Sequence, residues 1–314
     1  MKTLLALLLG LMVSAASAQP YPSKPIRFVV ATGPGGGDDF TARLLAPKLS
    51  EILGQQVYVE NRPGAGGMVG QTAVAKSSPD GYTLLLAGGS MAGARYVNAT
   101  IGYDLMRDFT PISLIETAPF ALVINPSLPA KSVAEFVALA KSRPGKLNYG
   151  TIGAGQIPFW AALLFNSMAG IEAQEIQYKT PAEVSTDVMT GRIDYWFSPM
   201  ATAVAARDKV RILGVTTPAR TPQMPEVPAL AESIPGFQMP AWRSMMGPAG
   251  LSAEVVQTMN RAIARSLEAP EIRERMLNAG SNPQPSTPDE LRKRYEEWVE
   301  IFGSVARNTK LQPQ

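Results

Sequence analysis

Three glycine-rich turns hold the groups through which this chain is best equipped to bind a ligand. Thr32 to Gly37, Gly88-Gly89-Ser90 and Thr151 to Gly155 each follow a short strand-like run. Glycine lets backbone N–H groups approach a ligand closely, and a helix that starts after the turn adds the positive end of its dipole. This combination suits a carboxylate or a phosphate. Each glycine could instead serve only a tight turn, but three turns at equivalent points favour binding.

Polar and charged side chains beside these turns add candidate contacts. Thr32, Ser90, Thr151 and Gln156 carry neutral groups that bond a carboxylate directly or through water. Asp39 lies in the first turn of the helix after the first glycine turn. It could contact a ligand amine, although a carboxylate at a helix start is more often a cap or a dipole partner. Arg220 and Arg243 could pair with an anion, but solvated or structurally paired arginines are more common.

The chain contains no histidine and no cysteine. Missing histidine excludes serine–histidine and cysteine–histidine nucleophiles, the usual zinc sites and the commonest general base. Missing cysteine excludes disulfides, so stability must come from packing. Ser90 also misses the spacing of a nucleophile elbow by one residue, and the chain has no P-loop lysine motif. We therefore expect no catalytic residue, no metal and no cofactor.

The segments that must position these turns alternate between strand and helix patterns. Ile26 to Val30 predicts a buried strand, and Asp38 to Leu53 predicts a helix that Gly54 ends. Val57 to Val59 and Tyr82 to Ala87 predict two further strands. A repeated strand, turn and helix order predicts an α/β fold with parallel sheets covered by helices.

After Pro235 the pattern changes to consecutive helices. These helices are predicted at 253–267, 270–279 and 288–302. With little strand between them they cannot easily form a third α/β unit, so we expect them to pack on the first sheet. We therefore predict a lobe 1 of residues 19–120 plus 236–314 and a lobe 2 of residues 121–235, with the ligand in a hinged cleft.

The N-terminus predicts export. Lys2 precedes an apolar run from Leu4 to Val13, and Ala16-Ser17-Ala18 matches a small-residue cleavage pattern. We expect a signal peptide at residues 1–18, cleavage after Ala18 and a periplasmic protein. The formal net charge is +3 with scattered Lys and Arg, so we expect no nucleic-acid partner and no basic membrane patch.

Several motifs together resemble one receptor family. They are Tyr21 to Ile26 leading to Pro34-Gly35-Gly36-Gly37, the block Val59 to Gly67, Pro79 to Leu84, Asp187 to Asp194 and Gly247 to Gly250. In these motifs the chain resembles the substrate-binding proteins of tripartite tricarboxylate transporters, the Bug family. The likeness extends over nearly the whole chain after residue 18.

The resemblance implies a two-lobed, type II-like Venus-flytrap fold, in which each lobe is a mostly parallel sheet flanked by helices. It implies a monomeric receptor that delivers a small mono- or dicarboxylate to the membrane subunits of such a transporter. Phe159 and Trp160, just inside a helix, could line the cleft or lie in the core, and the core is the better expectation; in the cleft they would mildly favour a bulkier or aromatic acid. The alternatives are a periplasmic sensing subunit of a two-component system and an enzyme on the same scaffold.

The resemblance also assigns the ligand to the three turns and their surroundings. The candidate binding residues are Thr32, Pro34, Gly35, Gly36, Asp39, Gly89, Ser90, Met91, Thr151, Gly153, Ala154, Gly155, Gln156, Phe159 and Ser198. The family often has a histidine after the third turn, where this chain has Gln156 and Phe159. Its usual Tyr-Lys-Gly is Tyr178-Lys179-Thr180 here. These departures concern the second lobe's half of the site.

Overall fold

Two β-sheets flanked by helices organise the chain in the computed structural model, which describes residues 20–222 and 224–313. The predicted signal peptide at 1–18 and its cleavage point lie outside the described residues. The α/β class agrees with the expectation from the sequence. No helix in the described ranges has the length and apolar character that a membrane crossing requires.

The first sheet has the strand order β2-β1-β3-β10-β4-β11. Its strands are β1 Ile26–Val30, β2 Val57–Asn61, β3 Thr83–Gly88, β4 Phe109–Ala118, β10 Ala241–Pro248 and β11 Asn282–Pro283. The second sheet has the order β7-β6-β8-β5-β9. Its strands are β5 Phe120–Ile124, β6 Leu147–Thr151, β7 Ala173–Gln177, β8 Tyr195–Pro199 and β9 Arg211–Val215.

Both sheets are mixed, but most strands of each run in one direction, as expected: β1 to β4 in the first sheet and β6 to β9 in the second. Strand β1 pairs in parallel with β2 and β3, and β6 pairs in parallel with β7 and β8. Strands β10 and β5 instead run antiparallel to both of their neighbours. Their reversed direction follows from the path of the chain. Strand β5 is the first strand after the chain enters the second sheet, and β10 is the first after it returns to the first sheet.

The two passages between the sheets lie side by side. Only Pro119 separates β4 from β5, and residues 216–240 connect β9 to β10. Thr216 joins the two passages: its N–H donates to the Phe120 carbonyl at 2.9 Å, and its Oγ1 accepts from the Phe120 N–H at 3.0 Å.

Ten α-helices flank the sheets in the described ranges. They are α1 Gly37–Leu53, α2 Met68–Ala75, α3 Ala94–Val97, α4 Val133–Ser142, α5 Ile157–Ala169, α6 Pro181–Thr190, α7 Met200–Ala205, α8 Ala253–Glu268, α9 Pro270–Asn278 and α10 Pro288–Asn308. Gly54 ends α1 in the left-handed conformation at φ 66°, which confirms the predicted helix end. Short 3-10 turns occupy 65–67, 89–93 and 230–232.

The first sheet is buried on both faces. Leu45 of α1 and Met259 of α8 belong to the apolar cluster on one face. Trp298 and Phe302 of α10 belong to the larger cluster, which also includes Trp160 of α5. The rings of Trp160 and Phe302 have centroids 4.5 Å apart. Helix α10 therefore links the first sheet to a helix of the second.

Candidate functional site

A cavity of about 160 Å³ lies where the two sheets face each other, and we call it the central cavity. Its walls come from the carboxyl ends of β1 and β3, from the turn before α2, and from the start of α5 and the end of β8 in the second sheet. Among its lining residues are Ala31, Thr32, Asp38, Gly66, Gly67, Gln71, Gly88, Gly89, Ser90, Phe120, Ile152, Gln156, Trp196, Trp242 and Arg243.

A second cavity of about 350 Å³, the side cavity, adjoins the central one. The two share Phe120, Pro199, Ala241 and Arg243. The side cavity is further lined by Gly35 to Gly37 at the start of α1 and by Met200 and Ala201 at the start of α7. Arg243 therefore forms part of the partition between the two cavities.

Six of the sequence-predicted site residues line these cavities. Thr32, Gly89, Ser90 and Gln156 line the central cavity. Gly35 and Gly36 line the side cavity. The remaining predicted residues line neither, and they are Pro34, Asp39, Met91, Thr151, Gly153, Ala154, Gly155, Phe159 and Ser198.

Five of these remaining side chains are buried: those of Asp39, Met91, Thr151, Phe159 and Ser198. Met91 is packed in the apolar core. The Oγ1 of Thr151 donates to Glu175, and the Oγ of Ser198 donates to the carbonyl of Pro199. Phe159 packs edge-on against Trp160 in the core and lines a separate pocket. The Phe159-Trp160 pair therefore does not supply the aromatic wall that the sequence suggested.

Asp39 is buried and holds the first glycine turn. Its carboxylate accepts from the Gly35 N–H at 3.0 Å, from Arg43 Nε at 2.9 Å and from Asn61 Nδ2 at 2.9 Å. The hydrogen bond from Arg43 is the main reason that the pKa of Asp39 is lowered to about 2; burial opposes it, and Gly35 and Asn61 add to the lowering. These contacts fasten α1 and β2 to the turn.

Sequence reasoning missed several residues that line the central cavity. Gly66 and Gly67 adopt positive φ of 65° and 101° just before α2, in a further glycine-rich turn at 64–67. The same rule of strand, glycine turn and helix could have found them. Trp196 and Trp242 lie on β8 and β10, where the sequence has no signal separating a cavity wall from core. Their buried indole N–H groups have no hydrogen-bond partner among the described residues.

A charged triad lies beneath the partition between the cavities. Arg243 donates through Nε to Asp38 Oδ1 and through Nη1 to Glu116 Oε1, each at 2.6 Å. Glu116 is 1% exposed and also accepts from Thr41 and Ser281. Burial lowers the pKa of Arg243, but the charges of Asp38 and Glu116 outweigh it and raise the pKa above its usual value. The guanidinium therefore stays charged at every working pH.

Glycine at position 37 is required by this triad. A Cβ there would collide with Arg243 Nη2, so only glycine lets the start of α1 lie against the guanidinium. Nη2 itself has no hydrogen-bond partner among the described residues.

The helices that begin at these cavities lack side-chain caps. Gly36, Gly67, Gln156 and Pro199 are the N-cap residues of α1, α2, α5 and α7, and none accepts a side-chain capping bond. Helices α4, α6, α8 and α10 begin away from the cavities and are capped by Ser132, Thr180, Ser252 and Thr287. The first N–H groups of a helix have no partner within it, so uncapped ends can donate to an anion.

The ionisable side chains that line the central cavity are Asp38 and Arg243. No group of acidic side chains suited to hold a metal ion occurs within the described ranges. The cavity thus combines donor-rich helix ends, a charged pair and aromatic walls, which is an arrangement for holding a small polar molecule.

Comparison with known proteins gives a consistent likeness. The family model described as the tripartite tricarboxylate transporter family receptor matches residues 41–310. Protein BugT of Bordetella pertussis is 32% identical, over 98% of each chain. A UPF0065 protein from the tcbD-tcbE intergenic region of Pseudomonas sp. strain P51 is 32% identical, over 96% of this chain and 93% of the relative.

Solved structures show the same likeness. Rpa4515 of R. palustris with adipate is 30% identical with a TM-score of 0.80, over 94% of this chain and all of that chain. MatC of Rhodopseudomonas palustris with bound malate is 29% identical with a TM-score of 0.76, over 91% of this chain and 99% of that chain. The periplasmic binding protein BugD is 27% identical with a TM-score of 0.77, over 94% and 100%.

Proposed function

The chain belongs to the tripartite tricarboxylate transporter receptor family, and we propose that it captures a small organic mono- or dicarboxylate and delivers it to the membrane subunits of such a transporter. Similar proteins with adipate and with malate support this class of ligand. The proposal includes a monomeric, non-catalytic receptor in the periplasm after removal of residues 1–18.

The uncapped helix ends carry the proposal. Within the described ranges, all four helices that begin at the cavities lack a side-chain cap, whereas four of the six that begin elsewhere have one; α3 and α9 are the two without. A missing cap costs a helix about 1 kcal/mol when the N-cap residue resembles alanine and only a few tenths of a kcal/mol when it is glycine, as in α1 and α2. A carboxylate bound at the α1 and α5 ends would satisfy the first N–H groups of these helices and gain from their dipoles. The first N–H groups of α2 and α7, on Met68 and Met200, already donate to the carbonyls of Ala65 and Pro119, so these two helices contribute mainly through their dipoles.

The proposal includes closure of two lobes around the ligand. Lobe 1 would comprise 19–120 plus 236–314, and lobe 2 would comprise 121–235. The two adjacent passages joined by Thr216 and Phe120 would act as the hinge. Binding between the lobes would favour the closed form, which the transporter would recognise.

A thermal-shift screen tests the ligand class. Linear mono- and dicarboxylates, aromatic carboxylates, amino acids and sugars would each be added to the purified chain. A ligand at 100 times its Kd should stabilise the fold by about 2.7 kcal/mol. Shifts with sugars or inorganic cations alone would refute the proposal.

A pair of glycine variants tests the location. Gly88 lines the central cavity, and a Cβ there would meet only Ser90 Oγ at 3.7 Å and the Trp242 carbonyl at 3.9 Å. Gly88→Ala should therefore fold normally and weaken acid binding at least about tenfold, or 1.4 kcal/mol. Gly33→Ala is the matched control, because Gly33 lines neither cavity and its Cβ would meet nothing within 4 Å. Equal affinities for both variants would remove this turn from the site.

A further inference from the structure

Asp38 presents a carboxylate oxygen to the central cavity that the protein leaves almost unused. Its Oδ1 accepts from Arg243 Nε at 2.6 Å, whereas its Oδ2 accepts only from Thr32 Oγ1, at 3.4 Å. The Asp38 side chain is 33% exposed. An ionised carboxylate offers about four lone-pair sites. Asp38 thus retains acceptor capacity toward the cavity that it lines.

The charges around Asp38 leave this oxygen negative. Arg243 is shared, because Nη1 is bound to the buried Glu116. Two carboxylates therefore compete for one guanidinium, and no other cationic side chain lines the central cavity among the described residues. The α1 N-terminus contributes roughly half a positive charge. Counted over Asp38, Glu116, Arg243 and the α1 N-terminus, a negative balance remains beside Asp38, while the N-termini of α2 and α5 bring positive charge to other parts of the cavity wall.

The aromatic walls reinforce this preference. Phe120, Trp196 and Trp242 line the same cavity as Asp38. The face of an aromatic ring attracts cations, by about 0.5–1 kcal/mol in water and more when the pair is desolvated. Of these rings, Trp242 already has the Arg294 guanidinium 5.8 Å from its centroid, so Phe120 and Trp196 are the rings that remain for a ligand cation.

We propose that Asp38 makes this receptor select acids that also carry a cationic nitrogen, so that the ligand is a zwitterion. This inference rests on the proposed function, since the ligand carboxylate would lie at the uncapped helix ends. The ammonium or trimethylammonium group would lie at Asp38 Oδ2 between the aromatic side chains. Asp39, the other acid at the start of α1, has no such role because Arg43 and Asn61 already engage it.

Ligand pairs with the same carbon spacing test the sign of the second group. Calorimetry would compare glycine with malonate, β-alanine with succinate, and 4-aminobutyrate with glutarate, together with the trimethylammonium form of each amino acid and the unsubstituted monoacids. At the spacing that fits, we expect the ammonium-bearing acid to bind at least about tenfold tighter than the diacid.

Asp38→Asn then tests the residue. We expect a loss of about tenfold or more for the ammonium-bearing acid, while the monoacid changes less than about threefold. Asp80→Asn, which alters a surface ion pair with Lys24, is the control and should change neither affinity. Circular dichroism checks the fold, and Asp38→Thr replaces the variant if the amide misfolds.

The outcomes separate the two proposals. If diacids bind tighter than their ammonium counterparts, the free Nη2 of Arg243 recognises a second carboxylate and the zwitterion inference fails, while the proposed function stands. If monoacids and diacids bind, and Asp38→Asn changes the affinity for ammonium-bearing acids no more than that for monoacids, the inference also fails. If no acid binds to the folded chain, both proposals fail.

Discussion

Replacing Asp39 by asparagine tests whether this residue holds the glycine turn or touches the ligand. The carboxylate is bound by Gly35, Arg43 and Asn61 and is 4% exposed. Its pKa is lowered to about 2, chiefly through the hydrogen bond from Arg43. A shift of this size is equivalent to roughly 2.4 kcal/mol. Because the Arg43 side chain is 54% exposed, solvent screening reduces the expected contribution to about 1–2 kcal/mol.

The pH dependence follows from the direction of the shift. A carboxyl whose pKa is lower in the folded state stabilises the fold above its unfolded pKa, near 4, and this stabilisation is lost as the pH falls toward 2. Urea unfolding at pH 7, 5 and 3 would measure it. We expect Asp39→Asn to reduce the free energy of unfolding by about 1–2 kcal/mol at pH 7 and 5, and by roughly half as much at pH 3.

Two results would refute this reasoning. A difference between wild type and variant that stays constant from pH 7 to pH 3 would show that the ionised form is not what stabilises the turn. Glu254→Gln is the control, since Glu254 is an exposed acid in the first turn of α8 with no hydrogen bond among the described residues, and it should change stability little. Acid binding by folded Asp39→Asn should stay within a few-fold at pH 7, because Asp39 lines neither cavity. A loss of tenfold or more would instead make Asp39 a ligand contact.

Three further substitutions have defined outcomes. Gln156→Ser supplies the missing cap of α5, so urea unfolding should show a gain in stability of about 0.5–1 kcal/mol. Calorimetry should show several-fold weaker acid binding. A gain in both stability and acid affinity would contradict the role of the uncapped end. Glu116→Gln removes a buried partner of Arg243 and should reduce the free energy of unfolding by about 3 kcal/mol, measured with urea. The double variant with Arg243→Gln should recover part of this loss. Strictly additive losses would show that the two side chains are uncoupled. Trp160→Ala should cost about 3–5 kcal/mol, because the ring is fully buried against Phe302, and a cost below 1 kcal/mol would contradict the packing between α5 and α10.

Local sequence patterns predicted the elements whose cause is itself local. The β-branched run at Ile26–Val30 forms β1, and Gly54 ends α1 because glycine alone adopts its left-handed conformation without strain. The capping spacing at Ser132 and Glu135 likewise marks the start of α4, where the Ser132 hydroxyl accepts from the Glu135 N–H. Each of these features depends on a few consecutive residues.

The strands that sequence reasoning missed depend on distant partners. Strands β4 and β10 pair along almost their whole length although more than 120 residues separate them in the chain. Pro111 interrupts the pattern of β4, and Arg243 interrupts that of β10. Arg243 is tolerated there because Glu116 on β4 and Asp38 on α1 compensate its charge, and no local window contains all three residues.

The choice between Asp38 and Asp39 illustrates the same limit at the site. Successive residues of an α-helix point about 100° apart, so one of the two acids faces the cavity while the other faces the turn. The rotation of α1 is set by the contacts of Gly37 with Arg243 and of Asp39 with Asn61. Neither contact is visible in the sequence around the pair.

One sequence signal for the site is the lack of capping residues at the helix starts that meet the cavities. Four helices that start away from the cavities, α4, α6, α8 and α10, have Ser or Thr as the residue that caps the helix end. Two others, α3 and α9, also start away from the cavities without a side-chain cap, but α3 continues a 3-10 turn and α9 follows directly on α8. Helices α1, α2 and α5 begin with Gly36, Gly67 and Gln156, which supply no side-chain cap. A cap there would stabilise the helix but occupy the N–H groups that a ligand needs. Missing caps after several strand-and-turn units therefore indicate a shared anion site more directly than the glycines do, because glycine is also required wherever the chain only turns.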